Sequence, residues 1–194
     1  MRGTRIRTPD GSKPVELLLI GDKVLTADGR TRVFVRWLWR QTVVTAFADE
    51  LRAYPIRIMA GALDERVPQR DLFLSPDHAI LVDGCLVQAA PLINGTTIVR
   101  VNNPEPRFVY YHVELEDHAL ILAEGVASET FVDNVTRRRF DNYADYEAMY
   151  GAGELAIAEM DVPRAKSARQ LPRVVRDRLA AQSKALPVPG CEAA

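Results

Sequence analysis

Cysteine and histidine are scarce in this chain. Two cysteines, Cys85 and Cys191, and three histidines, His78, His112 and His118, are spread over 194 residues. So few thiols exclude a disulfide framework and a cysteine-ligated zinc site. No apolar run approaches the roughly 18 residues of a membrane span, so no membrane partner is expected. The opening Met1-Arg2-Gly3-Thr4-Arg5 lacks the apolar stretch of a signal peptide, which makes the cytoplasm the default expectation. Neither sign of charge is in excess: 25 Lys plus Arg stand against 26 Asp plus Glu, a net charge of −1. Proteins that coat phosphates carry a basic excess or stripe, so no nucleic-acid partner is expected. Intrinsic disorder is excluded by an apolar share of 47% against 26% charged. Any chemistry therefore rests on a short list of side chains.

Turns are plentiful up to about residue 135. They include Pro9-Asp10-Gly11, Ile20-Gly21-Asp22, Asp28-Gly29, Asp83-Gly84, Asn94-Gly95 and Asn102-Asn103-Pro104. Asp-Gly and Asn-Gly supply the positive φ that tight hairpins need. Between them lie short β-branched and aromatic runs, among them Lys23–Thr26, Val33–Trp37, Ile56–Ile58, His78–Val82, Thr96–Val101 and the longest, Phe108–Leu115. Val33, Val35 and Trp37 alternate with polar or smaller neighbours, as half-buried strands do. Val15–Leu18 and Gln88–Ile93 read as single helical turns. Past Phe131-Val132-Asp133-Asn134 the pattern becomes helical. Helices are expected over about 141–150 and 171–183. The second is expected to pack only loosely, through a stripe of Leu171, Val174, Val175 and Leu179. Leu186–Ala194 reads as a frayed tail.

The opening forms one phrase: Gly3-Thr4-Arg5-Ile6-Arg7-Thr8-Pro9-Asp10-Gly11, then Pro14-Val15-Glu16, then Ile20-Gly21-Asp22-Lys23-Val24-Leu25-Thr26-Ala27-Asp28-Gly29. Three later stretches follow in order: Val35-Arg36-Trp37, Leu74-Ser75-Pro76-Asp77-His78-Ala79-Ile80-Leu81, and Val109–Leu115 running on to His118–Gly125. Together they resemble the Hint domain, the fold shared by inteins and the autoprocessing half of Hedgehog proteins. The likeness is greatest to the bacterial Hint subfamily that is not embedded in a host protein. The resemblance implies an all-β, disc-like domain over residues 3–134 with pseudo-twofold halves. A helical C-terminal extension and tail would occupy 135–194.

The resemblance also implies a chemistry. In an active Hint domain a cysteine side chain attacks the carbonyl of the preceding peptide bond, and the amide becomes a thioester. That step needs a nucleophile held against the carbonyl, a donor for the oxyanion and an acid for the leaving amine. The family's Thr-x-x-His pair supplies the last two, so Ser75 and His78 inherit those roles by motif match. His118 matches the histidine of the late block. Read from the residues alone, His118 is equally an exposed turn histidine beside Glu116-Asp117. The implied partners are an upstream polypeptide in cis and a small nucleophile acceptor; no cofactor and no metal are called for. The family's nucleophile lies a few residues before the Gly-Thr pair, a position that falls ahead of Met1. The chain as given is therefore expected to be inert. The alternative is a degenerate Hint domain kept as a binding or structural module. Asp133-Asn134 is a poor stand-in for the His-Asn that ends an intein, so splicing is not expected.

Other residues have plainer readings. His112 reads as a core or cross-strand filler on its strand. Cys85 reads as a buried, inert thiol that matters only if its hairpin brings it near His78. Arg137-Arg138-Arg139 reads as a solvated junction. Trp37 and Trp39 share a strand face and read as core.

Overall fold

Turn chemistry sets the first strands. The computed structural model describes residues 1–133, 136–151 and 156–186. β1 (Arg5–Thr8) and β2 (Gly11–Pro14) pair antiparallel around Pro9-Asp10. A single 3-10 turn, Val15–Leu17, then puts Val15 into the core. β3 (Lys23–Leu25) and β4 (Arg32–Phe34) flank the expected Asp28-Gly29 turn. There the Asp28 carboxylate accepts from the Thr26 and Thr31 hydroxyls and the Arg30 and Thr31 N–H groups. The run Val33–Trp37, read as one strand, breaks at Val35-Arg36. Val35 N–H still bonds to Asp22, whereas Arg36 N–H bonds to Glu114. The chain changes partner there and β5 (Trp37–Val44) begins.

A 3-10 turn over Thr45–Phe47 and the short α1 (Glu50–Ala53) lead to β6 (Ile56–Ile58), β7 (Leu72–Leu74), β8 (Ala79–Val82) and β9 (Cys85–Gln88). The expected helical turn at 88–93 is a 3-10 turn over Ala90–Leu92. β10 (Ile98–Arg100), β11 (Arg107–Glu114), β12 (Leu120–Ala123) and β13 (Val126–Glu129) follow. β5 and β11, each eight residues long, lie antiparallel along their whole length, Trp37 facing Glu114 and Val44 facing Arg107. β10-β6-β7 form a three-stranded sheet. The largest sheet has seven strands in the order β14-β9-β8-β13-β12-β1-β2, with β14 at Arg164–Ala165. The domain is mostly β, as expected.

The residues beyond 135 share this sheet and core. β14 pairs parallel with β9. α2 (Tyr143–Tyr150) lays Tyr146 against Trp37 and Trp39, which pack with Phe131, Phe140 and Ile157 in a second cluster. Both tryptophans are core, as their shared strand face implied. α3 (Arg173–Ala185) forms where expected, but it is not loosely packed. Leu171, Val175 and Leu179 belong to the main core, and Val175 is fully buried. Val174 is not in the stripe; it is 55% exposed. The reason is helical phase: 171, 175 and 179 recur every four residues on one face, and 174 lies off it. The arginine run is also corrected. Arg137 is 1% exposed, paired with Glu114 and Asp133 and stacked on Phe131 and Tyr146. A guanidinium can be buried there because two carboxylates neutralise it and aromatic faces cover its plane. No helix among the described residues is long and apolar enough to cross a membrane. The tail beyond Leu186, with Cys191, lies outside the described residues, as does Asn134.

Candidate functional site

The site begins at the chain's first residues. Gly3, at φ +81°, turns the backbone in a way a side chain would strain. Its N–H donates to Glu16 Oε2 at 2.8 Å, and the Arg5 N–H donates to Glu124 Oε1 at 2.7 Å. Arg70 pairs with Glu124 and donates to the Gly3 carbonyl at 3.2 Å. The backbone of residues 3–5 is thus clamped. Met1 packs with Val43, Phe108, Tyr110, Ala48 and Ala53. Its nitrogen lies 3.4 Å from the carbonyl oxygen of Phe73, the middle residue of β7, two residues ahead of Ser75. Burial lowers the pKa of that amine to about 6, with Glu16 pulling the other way.

The Ser75-Pro76-Asp77-His78 segment is a tight turn between β7 and β8. The His78 N–H closes it onto the Ser75 carbonyl at 3.1 Å, and proline fits the second position of such a turn. The Ala89 and Ala90 N–H groups bond to the carbonyls of His78 and Pro76, and the Ala79 N–H bonds to Glu129 Oε1 at 2.8 Å. The turn is therefore fixed from both flanks. Ser75 and His78 line one cavity of about 460 Å³ together with His112, Tyr110, Glu129 and Phe140. The His78 and His112 rings stand 6.0 Å apart. Burial lowers the pKa of His78, and Glu129 opposes the shift. Burial, then His78 and the chain-start amine, lower His112 to about 3. His112 is therefore neutral at neutral pH.

Glu129 ties His118, Arg164 and the Ala79 N–H together behind the cavity. Burial opposes its charge, but the His118 N–H, His78, Arg164 and the Ala79 N–H outweigh that and hold it at about 2. Arg164 reaches its Oε2 at 2.8 Å. His118 is buried rather than an exposed turn histidine, and it does not line the cavity. Its Nδ1 accepts from the Met160 N–H at 3.1 Å, which puts its proton on Nε2, 3.6 Å from Glu129 Oε2. His118 thus stands behind Glu129. His112, read as a filler, is the residue the sequence reading missed: it faces His78 across the cavity. The available signal was alternation, since Tyr110, His112 and Glu114 share one face of β11. Cys85 pairs with Val82 at the far end of the β8–β9 hairpin, whereas Gln88 pairs with Ala79 beside His78. Its sulfur is buried against the Leu86 carbonyl, so it is no substitute nucleophile. Asp133 pairs with Arg137 and accepts from the Ile157 N–H. Among the described residues, no group of three or more His, Cys, Asp or Glu side chains is placed to hold a metal ion.

A β domain that clamps its own first residues beside a hydroxyl and an imidazole belongs to the class of autoprocessing-type folds. The Hint domain family model matches residues 1–135, and the chain belongs to that family. Among solved structures, the MchDnaB-1 intein aligns with a TM-score of 0.46 and 15% identity, covering 66% of this chain and 96% of the intein. The bacterial intein-like domain from Clostridium thermocellum aligns with a TM-score of 0.44 and 13% identity, covering 66% and 94%. The Msm DnaB1 intein splicing domain bound with zinc aligns with a TM-score of 0.44 and 16% identity, covering 67% and 98%. No curated protein matches the chain.

Proposed function

We propose that this chain is an autoprocessing domain that activates a peptide bond at its N-terminal edge for an N-to-S acyl shift and cleavage. The observation that carries the reading is the placement of the partly buried Met1, its nitrogen on the Phe73 carbonyl two residues ahead of Ser75, against Val43, Tyr110 and Ala53, which line the same cavity as Ser75 and His78. A polypeptide entering the fold at Met1 passes the mouth of the cavity that these side chains line.

The chemistry follows from the groups present. A cysteine sulfur on the entering segment attacks the carbonyl carbon preceding that cysteine, forming the C–S bond. The Ser75 hydroxyl donates to the developing oxyanion. His78 takes the thiol proton and passes it to the amide nitrogen as the C–N bond breaks. The products are a thioester, an amine and a neutral imidazole, so protons balance. A lowered pKa suits both half-steps: the ring is unprotonated before attack, and its cation is a strong acid toward the leaving nitrogen. His112, held at about 3, is too weak a base to compete and serves as a neutral wall of the cavity. His118 is a positioning residue, acting on His78 through ionised Glu129. A small nucleophile then opens the thioester, and no cofactor takes part.

The test is an extended protein in which a segment ending in Cys-Phe precedes Met1. Incubated with dithiothreitol, it is expected to release the upstream segment as a thioester-exchange product visible by mass spectrometry. His78→Ala is expected to slow release by about 10²-fold, the usual scale for losing a general acid–base group. A folded, extended protein that stays whole in thiol for days would establish the binding or structural module instead.

A further inference from the structure

The cavity has walls of two origins. The family match ends at residue 135. β5, the Ser75–His78 turn, β11 and β13 supply the inner wall from within it, whereas Arg139, Phe140 and Lys166 come from the segment beyond it. Both outer cations are carried on anchored backbone. Arg139 ends the 3-10 turn that begins at buried Arg137, and its N–H bonds to the Thr136 carbonyl at 3.1 Å. Lys166 directly follows β14, and its N–H bonds to Gln170 Oε1 at 2.8 Å. Among the described residues neither side chain has an ion-pair partner. The third cation on the lining, Arg52, leans on Asp49 at 3.6 Å. The carboxylates on the lining are Glu129, already paired with Arg164, and Asp77. Arg164 is shared between Glu129 and Glu159, so the excess of positive charge lies on the rim that the extension supplies, where Arg139 and Lys166 stand with Phe140 and no carboxylate. A rim of one sign concentrates ligands of the other sign.

We propose that the segment beyond residue 135 builds an acceptor subsite, in which Arg139 and Lys166 select a small nucleophile carrying one anionic group such as a carboxylate or sulfonate. The inference rests on the acyl-shift reading and names the second substrate of that reaction. The acceptor's anionic end sits at the mouth between the two cations, and its nucleophilic end points inward to the thioester. Attack forms the new bond to the carbonyl carbon and expels the cysteine thiolate, which takes up the proton that the acceptor loses.

Two thiols of similar acidity on the same two-carbon spacer make the test: 2-mercaptoethanesulfonate, with an anionic end, and 2-mercaptoethanol, without one. In the extended protein at low salt, the sulfonate is expected to release the upstream segment about three- to tenfold faster, the range expected of partly exposed charges. That ratio is expected to fall toward one at about 0.5 M salt, where the screening length is short. It is also expected to fall below one in the Arg139→Glu/Lys166→Glu double variant, and to an intermediate value in the Gln versions. Release by both thiols with a ratio of one or less in the parent, or a ratio unmoved by the variants, overturns the acceptor subsite and leaves the acyl shift standing. Release by neither thiol overturns the acyl shift. A titration of the present chain with unreactive ethanesulfonate, followed through the His78 and His112 ring signals by NMR, then decides the subsite alone. A saturable shift that the double variant abolishes supports it, and no saturable shift overturns it.

Discussion

His112 carries a consequence for the whole chain's pH response. An unfolded histidine takes up its proton near its ordinary value of 6.5, whereas in the fold His112 is held down at about 3, chiefly by burial. Between those values the unfolded chain binds more protons than the folded one. The stability contributed by the neutral ring is present above about pH 6.5 and is lost as the pH falls toward 3. His78 is shifted in the same direction and acts in the same sense. Replacing His112 by Gln, which cannot charge, is expected to flatten the loss of stability between about pH 7 and pH 4, by on the order of a few kcal/mol at the acid end. Urea midpoints measured across that range check it. A variant as acid-sensitive as the parent would place the burden on other groups.

At the scale of elements, α3 separates pattern from placement. Its residue range is visible in the sequence, because Pro172 suits the turn entering a helix and Leu171, Val175 and Leu179 recur at helical spacing. Its neighbours are not visible there. Val175 and Leu179 pack into the main core, and Arg178 pairs with Asp64 and Asp83. Leu179→Ala is therefore expected to cost about 2–4 kcal/mol, as for any well-packed core leucine. A loosely docked helix would lose less than about 1 kcal/mol on the same change. Chemical denaturation distinguishes the two. The arginine run teaches the same point. Charge predicts exposure unless tertiary partners neutralise it, and Glu114 and Asp133 do so for Arg137.

For the whole molecule, the segment beyond 135 is part of the structure that holds the site. It adds β14 to the largest sheet, brings Arg164 to Glu129, and gives His118 its hydrogen bond from Met160. A chain cut at residue 135 is expected to lose its sharp cooperative unfolding, to bind an apolar dye and to shift its urea midpoint well below that of the full chain. An unchanged midpoint would show that the β domain stands alone. The sequence by itself determined the hairpin at Asp28-Gly29, the short strands, both later helices and the family, because turn chemistry, periodicity and ordered motifs are local properties of the chain. It also marked Ser75 and His78 as candidates. Only the tertiary structure decided that His112 faces His78, that His118 stands behind Glu129, that Arg137 is buried and that the extension walls the cavity. Each of these depends on residues far apart in the chain meeting across strands, and no local pattern encodes which distant side chain will stand opposite.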